Sequence, residues 1–482
     1  MSSLKKNLGY QTAYEILNTC LPLITTPYVA RVLGASQLGV FSFTQSIVNY
    51  FVLLAMLGVK NYGTRSIAAI IQDRQKVNQV FSEIYSLQLI SSTLSLLLYS
   101  LYCFFFSREN TLISYIQALA IVSCILDINW LFSGLEMFKI AVARSTAVRV
   151  GTVVLILLLV KKPEDLWLYT LLMLGGSIVG MLILWSFVPR MIGSVRLTVT
   201  GISKHLKPNF MLFLPLLAMS IYHLMDKTML GAMSTYEQSG FYFYSDKLIN
   251  IPIGVIIGIG TVMLPRTTSL VSAGQKEYAD KVFLISLEGV IAVAFAMTFG
   301  IIAIAKEFVP FFFGKGYDAC ILLSSVLAPV LIIKAISLTV RNEYLIPNKK
   351  DKIYIVSVVA GTVSNLIANS LLISRYGALG AVIGTLIAEF VSCTWQILCI
   401  HKDVQVARFV CRGFPYGFFG LIMVAAVRLF AETVSLATVW KLVCEIGIGV
   451  MIFSVCCLLY WLITKSVFLS TLLPILQNRK KD

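Results

Sequence analysis

Residues 21–41 read LPLITTPYVARVLGASQLGVF, and residues 214–242 read LPLLAMSIYHLMDKTMLGAMSTYEQSGFY. Leu21-Pro22-Leu23 returns as Leu214-Pro215-Leu216, Leu33-Gly34 as Leu230-Gly231, and Gly39-Val40-Phe41 as Gly240-Phe241-Tyr242. The offset grows in two steps of four residues, so each step needs one insertion. Both stretches open a pair of apolar runs, the first and second in one case, the seventh and eighth in the other. Both pairs start on the same side, which makes the repeat parallel, with its axis along a membrane normal. Short matches of this kind are common in an apolar chain. The repeat therefore enters as an expectation of two six-helix halves followed by a helix pair.

The chain has 482 residues, of which 58% are hydrophobic and 13% charged, with mean hydropathy +0.85. Soluble domains carry about 25% charged residues. These values exclude an ordinary soluble enzyme, and they exclude disorder, which needs low hydrophobicity and high charge. About fourteen spans of roughly 18–24 residues fit the bilayer requirement. Their expected limits are 10–30, 38–58, 83–106, 112–134, 143–160, 166–188, 209–231, 240–262, 282–305, 318–340, 353–374, 377–400, 414–431 and 441–464. The runs are continuously apolar rather than alternating, which selects helices over an outer-membrane barrel. With both ends cytoplasmic, the inner segments hold 27 of the 39 Lys and Arg, as the positive-inside rule asks. That bias accounts for the net charge of +16 without a nucleic-acid partner. The ten cysteines lie mostly in apolar runs and read as small packing residues. The first apolar run holds Glu15, Asn18, Pro22 and Pro27 with no cleavage site, so it reads as a span rather than a cleaved signal. Segment 59–82 is amphipathic and is expected to lie along the headgroups. The expected organisation is 1–200 (first lobe), 201–405 (second lobe) and 406–482 (final helix pair and basic tail).

Ionisable groups inside apolar runs are expensive and mark cavities or partners. Glu15, Asp127, Asp226, Asp246, Glu288, Glu389 and Glu445 are the acidic ones; Lys227, Lys247 and Lys334 are the basic ones. Gln45 and Asn49, four apart, make a polar stripe in the second span, with Ser42 and Ser46 nearby. Tyr244, Lys247 and Asn250 make a looser one in the eighth. Two readings stand: walls of a water-filled cavity, or hydrogen bonds between helices. Cationic groups in a cavity suit an anionic solute such as a pyrophosphate, and Arg31 aligns with Lys227 in the repeat. Arg31, Gln45, Asn49, Lys227, Lys247 and Asn250 are therefore the candidate substrate-binding residues; Glu15, Asp226 and Asp246 are the candidates for a coupling H+ or Na+. His205, His223 and His401 read as surface or packing residues. The small residues of 377–384, Gly176/Gly180 and Gly254/Gly258 read as close helix approaches. No catalytic residue, metal site or cofactor is expected.

Asp226-Lys-Thr-Met-Leu-Gly231 with Gly240-Phe-Tyr-Phe-Tyr-Ser-Asp-Lys247 resembles the start of the second half of the polysaccharide-repeat-unit flippases, within the multidrug/oligosaccharidyl-lipid/polysaccharide exporter superfamily. Asp127-Ile-Asn-Trp130 … Gly134-Leu-Glu136 … Arg144, Met263-Leu-Pro265-Arg266, and Tyr376-Gly-Ala-Leu-Gly-Ala-Val-Ile-Gly-Thr-Leu-Ile-Ala-Glu389 are similar to the same family. Ser133 stands where the family usually has Gln, so no role is carried to it. The resemblance implies an all-α membrane fold, V-shaped and MATE-like, with two pseudo-symmetric lobes and a cationic cavity. It also implies transport of undecaprenyl-pyrophosphate-linked oligosaccharide from the inner to the outer leaflet of a bacterial cytoplasmic membrane, for capsule, O-antigen or related glycan. Glycan polymerase and glycosyltransferase partners would follow. Two other functions stay open: a cation-coupled multidrug exporter, against which Lys227 and Lys247 weigh, and a membrane glycan polymerase, which usually needs a larger outer loop.

Overall fold

With no water in the hydrocarbon to satisfy backbone groups, these apolar runs have to pair their N–H and C=O groups internally. In the computed structural model they do so as helices. The structure describes residues 2–107, 109–192, 197–198 and 201–464, with the side chains of 2–20, 215, 218, 407 and 408 outside the description. The helices are α1 (Ser2–Met56), α2 (Val59–Ala68), α3 (Arg74–Phe106), α4 (Thr111–Leu126), α5 (Asn129–Gly134), α6 (Phe138–Leu159), α7 (Leu166–Trp185), α8 (Val188–Met191) and α9 (Ile202–Met233). After these come α10 (Tyr236–Ser272), α11 (Lys276–Phe313), α12 (Ala319–Leu327), α13 (Val330–Thr339), a π-helical turn (Val340–Leu345), α14 (Asp351–Tyr376), α15 (Ala378–Ile400), α16 (Val406–Cys411), α17 (Phe414–Thr433) and α18 (Thr438–Thr464). No strand occurs among the described residues.

Among the described residues twelve stretches are long and apolar enough to cross a membrane, thirteen with the bent helix α9. The sequence count was fourteen. The difference lies in α1, whose 55 residues would run about 80 Å if straight, more than twice the hydrocarbon thickness. Gly34 breaks it, with φ 77° and ψ 169°. Two expected spans, 10–30 and 38–58, lie on either side of that break. Helix α9 bends by 59° between Leu214 and Met219, where Pro215 removes a backbone donor.

The chain forms two compact units, Met1–Gly240 and Phe241–Asp482. In the first, α9 packs on α1, α2 and α3. This grouping by packing differs from the division at 200 drawn from the repeat. In the second unit, α11 gathers α12, α13, α17 and α18, while α14 and α15 pair along their length. The close approach of α15 is carried by glycine: a Cβ on Gly380 would lie 2.5 Å from the Leu372 backbone, and one on Gly384 2.1 Å from Asn369 Oδ1.

The 59–82 segment divides between two helices. Its second half is the start of α3, capped by Asp73, whose side chain accepts from the Lys76 N–H at 3.1 Å. That backbone bond and the Lys76 ammonium hold the Asp73 carboxyl below its ordinary value. Its first half, α2, turns its apolar face to protein. Val59 and Ile67 are buried, Gly63 meets the Trp130 ring, and Ile67 meets Gly134.

The Asp127–Arg144 motif builds the break between α4 and α5. Asp127 Oδ1 accepts from the Asn129 N–H (2.9 Å) and Nδ2 (2.7 Å), and Asn129 Oδ1 accepts from Arg144 (2.7 Å). Gln88, fully buried on α3, donates to the freed carbonyls of Cys124 (2.6 Å) and Asp127 (2.8 Å), and it accepts from the Trp130 indole at 2.9 Å. Gln88→Leu leaves the Asp127 carbonyl and the Trp130 indole N–H unpaired, while the Cys124 carbonyl keeps the Asp127 N–H at 3.2 Å. Each costs about 1–3 kcal/mol, so thermal unfolding in detergent should show a destabilisation of at least that size. A variant as stable as the parent would remove Gln88 from this role.

Candidate functional site

Three polar groupings interrupt the apolar packing. The first lies in the first unit, where α1 beyond Gly34 meets α9. Ser42, Ser46 and Tyr50 recur at helical spacing, with Gln45 and Asn49 on the adjoining strip. Thr228 Oγ1 donates to Ser46 Oγ at 2.9 Å. Tyr50 reaches Thr228 and lies close enough to Asp226 to feel its charge. Asp226 is only 7% exposed, and Gln45, Asn49 and Lys227 are half-buried. Of the sequence candidates, Asp226 lies in this helix contact; Gln45 and Asn49 are on the same stretch of α1 and Lys227 is next to Asp226 on α9. Arg31 is exposed and lies on the other side of the Gly34 break. The Glu15 side chain lies outside the described residues.

The second grouping is on α10, in the second unit. Asn250 Nδ2 donates to the Asp246 carboxylate at 2.8 Å and to its carbonyl at 2.9 Å, one turn back. Lys247 Nζ stands 5.6 Å from the centre of the Phe243 ring, a cation–π contact. Asp246 and Lys247 are half-buried and Asn250 is exposed. Gly254 and Gly258, further along α10, are not close-approach points: an added Cβ meets nothing within 4 Å at either.

The third grouping was only partly visible in sequence. Lys334 on α13 pairs with Glu389 on α15 at 3.3 Å. Gln396 Nε2 donates to Ser337 (2.8 Å) and Ser357 (3.0 Å). The Arg341 guanidinium lies 4.4 Å from the centre of the Tyr354 ring. Asn365 and Asn369 are fully buried and bonded to each other at 3.1 Å. Tyr242 OH bonds Thr385 Oγ1 at 3.1 Å.

Sequence reasoning also undervalued His205. It is 7% exposed and joins Tyr62 OH through Nδ1 (2.7 Å) to Glu83 through Nε2 (2.7 Å). Lys204 pairs with the same carboxylate at 3.1 Å. Together they fasten the start of α9 to α2 and α3. His223 and His401 are exposed, as the sequence reading had them.

Among the described residues no three His, Cys, Asp or Glu come together as metal ligands. What these groupings offer is hydrogen bonding and charge inside apolar helices. That suits holding and passing a polar group.

The class defined so far is a multi-pass α-helical membrane protein with buried polar seams in both units. The chain matches the polysaccharide biosynthesis protein family over residues 4–271, more than half its length, and belongs to that family. A Shigella dysenteriae protein named as an O-antigen transporter is 26% identical over 392 residues, covering 80% of this chain and 97% of that one. The fold is shared with the lipid II flippase MurJ in an inward closed conformation, at TM-score 0.74 and 15% identity over 94% of this chain and 100% of that one. It is also shared with an inward-facing multidrug resistance MATE family transporter of the MOP superfamily, at TM-score 0.63 and 14% identity, over 82% of this chain and 95% of that one.

Proposed function

We infer that this protein is a flippase that carries a lipid-linked oligosaccharide across the membrane for cell-surface polysaccharide synthesis. The observation that carries the reading is the Ser46–Tyr50/Asp226–Thr228 seam, buried among apolar helices in a member of a polysaccharide biosynthesis family. A sugar-pyrophosphate head is too polar to cross hydrocarbon unaided. Its prenyl tail can stay in lipid while the head follows a hydrated path. No bond has to be made or broken, only two conformations exchanged.

In finer detail, the cargo is undecaprenyl-pyrophosphate-linked and moves from the inner to the outer leaflet of a bacterial cytoplasmic membrane by alternating access. Both termini are cytoplasmic. The exchanging halves are the repeats, 1–200 and 201–405, with 406–482 appended. Arg31, Lys227 and Lys247 contact the pyrophosphate; Gln45, Asn49 and Asn250 contact sugar; Glu15, Asp226 and Asp246 serve a coupling H+ or Na+. Polymerase and glycosyltransferases hand the cargo on either side. The inside bias of Lys and Arg supports the orientation, and the recurring Leu-Pro-Leu and Leu-Gly matches support the halves.

The test is reconstitution of the full chain in vesicles with a lipid-linked oligosaccharide, scored by exposure of the glycan to an added lectin. Transfer across the bilayer is expected only with the protein present. Lys247→Ala removes a charge-assisted bond worth about 1.5–3 kcal/mol and should slow transfer roughly 10–150-fold. An unchanged rate takes Lys247 off the path. Purified protein that joins repeat units instead of moving them would overturn the function.

A further inference from the structure

Two buried carboxylates have an oxygen with no hydrogen-bond partner among the described residues, Glu343 and Glu445. Glu445 lies near Lys441 and Arg428, whose charges offset its own. Glu343 has no such neighbour. It is 2% exposed and sits in the π-helical turn Val340–Leu345, between α13 and α14. Its Oε1 accepts from Ser286 Oγ on α11 at 2.9 Å, while Oε2 has no donor.

The cations nearest it in the chain make contacts with other groups. On α13, Lys334 is held by Glu389 at 3.3 Å. Within the turn, Arg341 is drawn over the Tyr354 ring of α14 at 4.4 Å. Lys350, after the turn, lies 5.4 Å from the centre of the Tyr344 ring and pairs with Asp403. The face that α11 presents there supplies the neutral Ser286 and the apolar Phe283 and Leu287. A carboxylate charge enclosed this way, with one hydroxyl for company, is far costlier than the same charge with a counter-ion. π-Helical turns inside α-helices occur often at functional sites, because they break the regular i→i−4 ladder.

We propose that Glu343 is a binding site for a monovalent cation, H+ or Na+, taken up between Ser286 and the π-helical turn. The common chemistry is a single positive charge delivered to Oε2. The site is separate from Glu15, Asp226 and Asp246. It sits where gain or loss of that charge can switch the turn between two backbone pairings. Its use in driving transport rests on the flippase reading above; its existence does not.

The experiment uses the full chain in detergent micelles. Equilibrium binding of radiolabelled Na+ reports one source. The infrared carbonyl stretch of a protonated carboxylic acid reports the other. Wild-type protein is expected to give one of these signals, and Glu343→Gln to lose it to background while eluting as the wild type does. Glu343→Asp keeps a carboxylate on a shorter stem, so it should retain the signal with weakened Na+ affinity or a displaced band. Neither signal in the wild type, or an undiminished signal in Glu343→Gln, overturns the proposal. If Glu343→Gln does not fold, an unaltered signal in Glu343→Asp overturns it equally. A wild-type protein that binds the ion yet moves no lipid-linked glycan would sink the flippase reading and leave this site standing.

Discussion

Alanine at Gly39 or at Gly240 should each destabilise the folded protein by at least about 1–3 kcal/mol, the usual cost of overfilling a packed contact. A Cβ on Gly39 would stand 1.6 Å from the Tyr236 carbonyl oxygen; one on Gly240 would stand 2.0 Å from that of Ala35. Both obstacles are backbone, so no side chain can rotate away and the helices themselves have to part. The double variant should cost less than the two singles combined, because the first methyl already opens the contact for the second. Gly254→Ala and Gly258→Ala are the comparison, since their methyls meet nothing within 4 Å and replace glycine with a better helix former. Unfolding of the five variants in detergent decides the matter. A Gly39→Ala protein with parental stability would show that the approach is looser than described.

The contact has a symmetry that explains why the two costs should be alike. Gly39 and Gly240 are the corresponding residues of the repeat. Each faces the carbonyl four residues before the other, Tyr236 and Ala35. A reciprocal contact of this kind is what a two-fold relation between equivalent segments generates. The other matched glycines diverge. Gly34 breaks α1 at φ 77°, whereas Gly231 lies within α9, where a Cβ would come within 2.1 Å of the Phe43 ring. Matched glycines therefore serve as a backbone break at Gly34 and a ring contact at Gly231.

The membrane class and nearly every span were legible because hydrocarbon imposes one requirement everywhere: long apolar stretches with paired backbones. That Gln45 and Asn49 share a helix face was legible too, since a helix repeats every 3.6 residues. Partners were not. Nothing in the residues around Asp226 says that it lies near Tyr50, 176 positions earlier, because that depends on how α9 packs. Glu343 was missed for a different reason. It stands in RNEYLIPNKKDK (341–352), which reads as a charged loop, and only the fold buries it. His205 could be read only as a surface or packing residue because its partners, Tyr62 and Glu83, come from two other helices. Gly254 and Gly258 misled in the opposite sense: small residues at helical spacing permit a close approach without requiring one.

Lys334→Met is expected to be the most damaging single change in the second unit, at about 3–5 kcal/mol, while Lys334→Met with Glu389→Leu should recover most of that loss. The pair is well enclosed, with the lysine side chain 17% exposed and the glutamate 9%. Removing the ammonium leaves the Glu389 carboxylate uncompensated beside Cys393 and within reach of the Tyr354 hydroxyl. Removing both charges leaves an apolar contact of similar volume between α13 and α15, and both desolvation costs vanish together. The comparison also separates scaffold from transport. A double variant that is stable and still moves lipid-linked glycan at the parental rate makes the pair a fastening between two helices. A double variant that is stable but inactive places Lys334 or Glu389 among the groups that handle the cargo or its driving ion. If the single variant is as stable as the parent, the bridge is open to water and the enclosure described here is wrong.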